Sequence, residues 1–264
     1  MATPSALVSV MIEAAQKAAR GLRRDFGELS ELQVSKKGLA DYVSAADLKA
    51  EATLFDALTK ARPGYGFLGE ERGMVEGTDK THTWICDPLD GTTNFLHAIP
   101  HFAVTVALRR EGQIVAGVTF NPATNDLYWA ERGKGAFHND KRLRVAARRT
   151  LDEALMATGI PFLGKPGHGQ FLKELHQISQ KVCGVRRFGA AALDLAFVAE
   201  GRFDGFWERG LGPWDTAAGT LLVTEAGGKV TTADGGEDVH GEGTILATNH
   251  ELHPLILERL RAAA

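Results

Sequence analysis

The chain has 264 residues, 44% of them hydrophobic and 24% charged, with a net charge of −3. That length suits one large domain or two small ones, and the composition is that of an ordinary soluble globular enzyme. The near-neutral balance argues against a nucleic-acid surface, and the short basic pairs Arg148-Arg149 and Arg186-Arg187 read as solvated faces. Cys86 and Cys183 stand far apart in apolar surroundings, so neither a disulfide framework nor a Cys-x-x-Cys motif is expected. Residues 1–9 lack a basic region followed by an apolar core, and no apolar run approaches the roughly 20 residues of a membrane helix. A reducing cytoplasm is the expected compartment.

In chain order, residues 5–29 predict an amphipathic helix, with Leu7, Met11, Ala14, Ala18, Leu22 and Phe26 near helical spacing. A second helix is predicted over 45–61 and stops at Arg62-Pro63-Gly64. A short apolar piece, 65–68, precedes Gly69-Glu70-Glu71, and a strand is predicted over 84–87. Strand-like segments follow at 102–108, 114–120, 127–130 and 143–145, separated by turn signals, which predicts an antiparallel meander. The second half alternates. Strands are predicted at 155–160, 203–207, 229–232 and 244–248, and helices at 168–182, 190–200, 214–226 and 252–262. Strands that cluster and then alternate with helices predict a layered α/β (α+β) fold with mixed, largely antiparallel sheets.

The most informative stretch is 84–95, Trp-Ile-Cys-Asp-Pro-Leu-Asp-Gly-Thr-Thr-Asn-Phe. An apolar run delivers Asp87 and Asp90 onto a turn that Pro88 stiffens and Gly91 opens. Paired acids at the end of a buried strand suit a hard cation, and Gly-Thr-Thr after them suits a phosphate cradle. Held close together, the two carboxylates repel unless cations lie between them. Three further segments place acids beside turns or helix starts: Asp41 to Asp47, Gly69-Glu70-Glu71, and Trp214-Asp215-Thr216-Ala217-Ala218-Gly219. Each alone reads equally as a helix cap or first-turn acid.

These segments, in this order and spacing, resemble the inositol monophosphatase family of magnesium-dependent, lithium-sensitive phosphatases, over nearly the whole chain. The resemblance implies a single domain over 1–264 with an αβαβα sandwich. Residues 1–146 would carry the metal and phosphate site, and 147–264 would complete the substrate site. It implies two or three Mg²⁺ ions. Glu70, Asp87 and the Leu89 carbonyl would hold the first, and Asp87, Asp90 and Asp215 the second. Glu70 and Asp41 lie toward a third. Gly91 and Thr92 would bind the phosphate. Glu70, Thr92 and Asp47 would be the catalytic residues, with the Thr92 hydroxyl paired to Asp47 and orienting a metal-activated water that attacks phosphorus in line, without a phosphoenzyme. Asp90, Ala191, Glu208 and Asp215 would meet the rest of the substrate. The partners implied are a small phosphate monoester and a second copy of the chain in a homodimer, with no membrane and no direct nucleic acid.

The chain departs from the family pattern at Gly189-Ala190-Ala191, where many members carry Ser or Thr after the glycine. Gly-Thr-Thr-Asn-Phe resembles the inositol branch, so inositol 1-phosphate is the expected substrate. The alternatives are fructose 1,6-bisphosphate, histidinol phosphate or a nucleotide 3′-phosphate, or an added role in transcription or RNA maturation. An aspartyl-phosphate mechanism of the haloacid dehalogenase type fits less well, because its acids stand two apart and Asp87 and Asp90 stand three apart. Gly64-Tyr65-Gly66-Phe67-Leu68-Gly69 matches a dinucleotide fingerprint but follows a helix terminator where a strand is required. His97 and His101 are separated by Pro100, a poor arrangement for zinc.

Overall fold

The computed structural model describes residues 3–28 and 36–263, the side chains of the second stretch from Ala45 onward. Its first layer is a helix pair, α1 (Ala6–Glu28) and α2 (Lys36–Ala61). Met11, Ala15, Ala18 and Leu22 of α1 form a stripe at helical spacing and are buried against the first sheet.

That sheet holds eight strands: β1 (Tyr65–Gly69), β2 (Gly73–Val75), β3 (Asp79–Asp90), β4 (Ala103–Arg110), β5 (Gln113–Asn121), β6 (Asp126–Glu131), β7 (Gly135–His138) and β8 (Lys141–Arg142). Their order is β2-β1-β3-β4-β5-β6-β7-β8, antiparallel except for the parallel β1–β3 pair. Alternation along the strands separates two cores. Trp84, Cys86, Val104, Val106, Val118 and Phe120 face α1 and α2. Ile85, Ala103 and Ala107 face a middle helix layer, α5 (Ala191–Ala199) and α6 (Pro213–Glu225).

The second sheet has the order β10 (Gly184–Arg186), β9 (Leu155–Thr158), β11 (Gly205–Arg209), β13 (Thr244–Thr248), β12 (Lys229–Thr231). Phe206, Ile245 and Ala247 point to the middle layer. Met156, Trp207 and Leu246 point the other way, onto Ile178 of α4 (His168–Ser179) and Ile256 and Leu260 of α8 (Leu252–Ala262). The result is the expected αβαβα sandwich with mixed, largely antiparallel sheets.

Several bounds differ from expectation. The second helix starts at Lys36, and the strand expected over 84–87 begins at Asp79 and runs to Asp90. The short elements β2, β7, β8, β10, α3 (Thr92–Leu96) and α7 (Val239–Glu242) had no readable pattern. The stretch expected as a strand over 143–145 is not one, because its main-chain donors go to two separate elements: Leu143 N to Ala136 O and Val145 N to Ala226 O. The side chain of Asp41, and residue 29 at the expected end of the first helix, lie outside the described residues.

Candidate metal and phosphate site

The site is built around a bulge. Opposite residues of an antiparallel pair share a face, and Asp87 pairs with Thr105 while Asp90 pairs with Ala103. Three steps on β3 therefore match two on β4. The irregularity turns both acids to the face of the middle helices, where an undistorted strand would send them to opposite faces. The main chain folds back on the first acid, with Leu89 N donating to Asp87 Oδ1 (2.8 Å). Gly91 then takes φ 89°, and a Cβ there would stand 3.0 Å from His101 O and 3.2 Å from the Ala190 Cβ. That left-handed turn starts α3. Asn94 of α3 donates to His101 O (2.8 Å) and Phe188 O (2.7 Å), which ties the turn to the second half of the chain.

Asp215 enters from the first turn of α6, with Pro213 at the helix start and its carboxylate accepting from Gly212 N (2.6 Å). Oxygens of Asp87, Asp90 and Asp215 lie within 4.8 Å of one another. Glu70, on the turn between β1 and β2, stands close enough to Asp87 and Asp215 for their charges to interact. Asp90 Oδ2 also accepts from Ala192 N (2.8 Å), so it satisfies a free donor at the start of α5, whose own N-cap, Ala190, offers no side chain for that bond.

Burial and mutual repulsion oppose ionisation throughout this group. Burial, then Glu70 and Asp90, pushes Asp87 well up, and burial, then Asp215, does the same to Asp90. Burial also raises Asp215. Glu70 is pushed up to about 7, by burial and then by Asp215. Asp47 is pushed up to about 8, by burial and then by Glu70. Its Oδ1 is buried without a hydrogen-bond partner. Oxygen donors of one charge, held this close, are what a hard divalent cation requires, and His and Cys are absent from the cluster.

The rest of the site comes from the second sheet. Glu208, half-buried at the end of β11, is pushed up to about 8 by burial and then by Asp215, with Arg187 and Lys165 acting the other way. It lines a cavity of about 470 Å³ together with Gly159, Phe162, Lys165 and Trp207. Ala191 opens α5 beside Asp90.

The structure thus brings Asp87, Asp90 and Asp215 together, with Glu70 close to that cluster, Asp47 near Glu70 and Glu208 near Asp215. It does not pair Thr92 with Asp47: the Thr92 hydroxyl donates to Leu89 O (3.0 Å). His101 packs edge-on to Phe188 and Phe197, and burial takes it down to about 4, while His97 is exposed. Two acids escaped the sequence reading. Glu51 is buried one helical turn after Asp47, and Asp194 is buried in the first turn of α5 with an unpartnered Oδ1. The first lies in mid-helix on α2 and the second in an alanine-rich helix, and neither stands beside a turn motif.

The sequence profile of the Inositol monophosphatase family matches residues 4–264. The chain belongs to that family. Within the inositol monophosphatase family it is 75% identical over 256 residues to the inositol-1-monophosphatase of Caulobacter vibrioides, covering 96% of this chain and all of that one. It is 41% identical over 255 residues to the Nus factor SuhB of Escherichia coli K12, covering 97% and 96%. The crystal structure of the extragenic suppressor protein suhB from Bartonella henselae has the same fold, with a TM-score of 0.90 at 55% identity, covering 97% and 99%. The chain is accordingly a phosphoric monoester hydrolase.

Proposed function

We propose that this chain hydrolyses inositol 1-phosphate to inositol and phosphate with Mg²⁺ as its cofactor, in the cytoplasm and as a homodimer. The observation that carries the chemistry is the cluster of Asp87, Asp90 and Asp215 oxygens within 4.8 Å, with Glu70 nearby. Glu70, Asp87, Asp90, Asp215 and the Leu89 carbonyl hold the ions. Bound, the ions supply positive charge that activates the attacking water and offsets charge on the phosphate and the leaving oxygen. The main-chain N–H groups of Gly91 and Thr92 receive the phosphate oxygens. The unpartnered Asp47 Oδ1 accepts a proton of the attacking water. The Thr92 hydroxyl, whose hydrogen is engaged by Leu89 O, keeps its lone pairs to orient that water. On the opposite side Glu208 and the Ala191 main chain read hydroxyls of the leaving group. The substrate reading is supported by the inositol-1-monophosphatase at 75% identity.

Initial rates on inositol 1-phosphate, fructose 1,6-bisphosphate, adenosine 3′,5′-bisphosphate and histidinol phosphate, with and without Mg²⁺, test this reading. Inositol 1-phosphate is expected to be preferred, with lithium inhibiting. A clear preference for any of the others contradicts the substrate assignment. The homodimer is supported by Ile99 and Phe188, exposed apolar side chains that line one groove with His101, and light scattering in solution tests it. No helix among the described residues is long and apolar enough to cross a membrane. An added interaction role is favoured by the full-length likeness to a Nus factor, and co-purification of transcription factors with a turnover-dead Asp90→Asn variant would separate it from catalysis.

A further inference from the structure

The turn that carries Glu70 is fastened to α2 by a residue outside the acid cluster. Glu51 is only 2% exposed. Its Oε2 accepts from two consecutive main-chain donors, Glu71 N (2.9 Å) and Arg72 N (3.2 Å). Its Oε1 faces Arg72 Nε at 3.7 Å, and the Arg72 guanidinium lies over the Phe55 ring at 4.2 Å, one turn further along the same helix. On the other side of Glu70 the chain closes onto the same carboxylate. A Cβ at Gly69 would stand 2.2 Å from Glu51 Oε2, so any larger residue there would have to displace the Glu51 carboxylate. The chain that follows Glu70 is therefore tied to one buried side chain, and the chain before it packs closely against the same carboxylate. Asp47 stands one turn earlier on the helix that carries Glu51.

We infer that Glu51 is the positioning residue of the metal site: by locking the turn between β1 and β2 to α2, it fixes the Glu70 carboxylate relative to Asp47 and sets the affinity for the ion that Glu70 helps to hold. Side chains behind metal ligands commonly act in this way, by fixing the orientation of a ligand they do not replace. A buried carboxylate that accepts main-chain N–H bonds is also a strong tether, because each such bond is charge-assisted. The inference rests on the magnesium reading above.

The test is Mg²⁺ titration of the full chain by calorimetry, alongside the Mg²⁺ dependence of inositol 1-phosphate hydrolysis. Glu51→Gln keeps the shape and removes the charge. It should weaken Mg²⁺ binding and raise the half-saturating Mg²⁺ concentration together, by about 10-fold or more, while kcat at saturating Mg²⁺ stays within about 3-fold. Arg72→Met removes the partner from the surface side and should shift both by a smaller factor in the same direction. It decides the question if Glu51→Gln fails to fold. Lower melting temperatures with unchanged Mg²⁺ affinity in the folded variants would show a merely structural residue and overturn the proposal alone. An unsubstituted chain that neither binds Mg²⁺ nor needs it for hydrolysis would overturn the magnesium reading, and the proposal with it.

Discussion

The acids proposed to hold the metal and the groups proposed to meet the rest of the substrate come from different parts of the fold. Asp87 and Asp90 end a twelve-residue strand in the interior of the first sheet, and Asp215 is fixed by Gly212 N at the start of a long helix. Glu208 and Lys165 come from β11 and a loop beside the second sheet, and Ala191 from the start of α5 in the middle layer. The rigid side can hold metal ligands at fixed spacing. The loop that carries Phe162 and Lys165 on the other side can change its residues without disturbing that spacing, so the proposed site lets substrate choice vary apart from the metal ligands. Asp90 belongs to both, since it stands in the acid cluster and also caps α5 through Ala192 N.

The largest effect should come from the rigid side. Asp90→Asn should lower kcat by about two orders of magnitude or more, because a direct ligand counts for more than the residues behind it, which already cost about 10–100-fold. The amide oxygen can still accept from Ala192 N, so circular dichroism should show an intact fold. Unchanged kcat would refute the assignment of Asp90. On the side of the second sheet, Glu208→Gln should raise KM for inositol 1-phosphate about 10-fold with a smaller change in kcat, the loss of one hydrogen bond worth about 1.5 kcal/mol. An equal loss in kcat would place Glu208 with the reacting groups and erase the distinction.

Protonation separates the two states of the rigid side. Asp47 rises from an ordinary 3.8 to about 8 and Glu70 from 4.5 to about 7, and Asp87 and Asp90 rise as well. Carboxyls raised on folding contribute stability that is present below their unfolded values and is lost as pH rises through their folded ones. The melting temperature of the metal-free protein should therefore fall between about pH 5 and about pH 8, and Mg²⁺ should restore it. Protons compete with the ion, so Mg²⁺ affinity should rise over the same window. Calorimetry in chelator and in Mg²⁺ checks both, and a metal-free melting temperature that climbs steadily toward pH 8 would contradict this picture. The smallest effect should be Ala190→Ser. Asp90 already occupies the donor a serine cap would take, so the stability change should stay below about 1 kcal/mol in denaturant unfolding. A larger gain would mean that Asp90 does not act as the cap.

The same contrast decides what is legible in the sequence. The turn from Asp87 to Thr92 is readable because two acids, a proline and a glycine follow an apolar run without a break. The layered fold is readable because most strands and helices carry full-length apolar patterns. The strands β2 and β10 have three residues each, too few for a period to show. The bulge that turns Asp87 and Asp90 to one face belongs to the pairing with β4, not to β3 alone. The bond from Ala192 to Asp90 joins residues 102 apart, and Glu51 grips a turn twenty positions later. Neither leaves a local mark.

Crystals soaked in Mn²⁺ as a substitute for Mg²⁺, with anomalous diffraction collected at the manganese edge, test the central assignment most directly. The expected result is anomalous density among Asp87, Asp90 and Asp215 with Glu70 alongside, reduced in Asp90→Asn. Density only elsewhere on the molecule, or none while hydrolysis proceeds in the crystal, would contradict it.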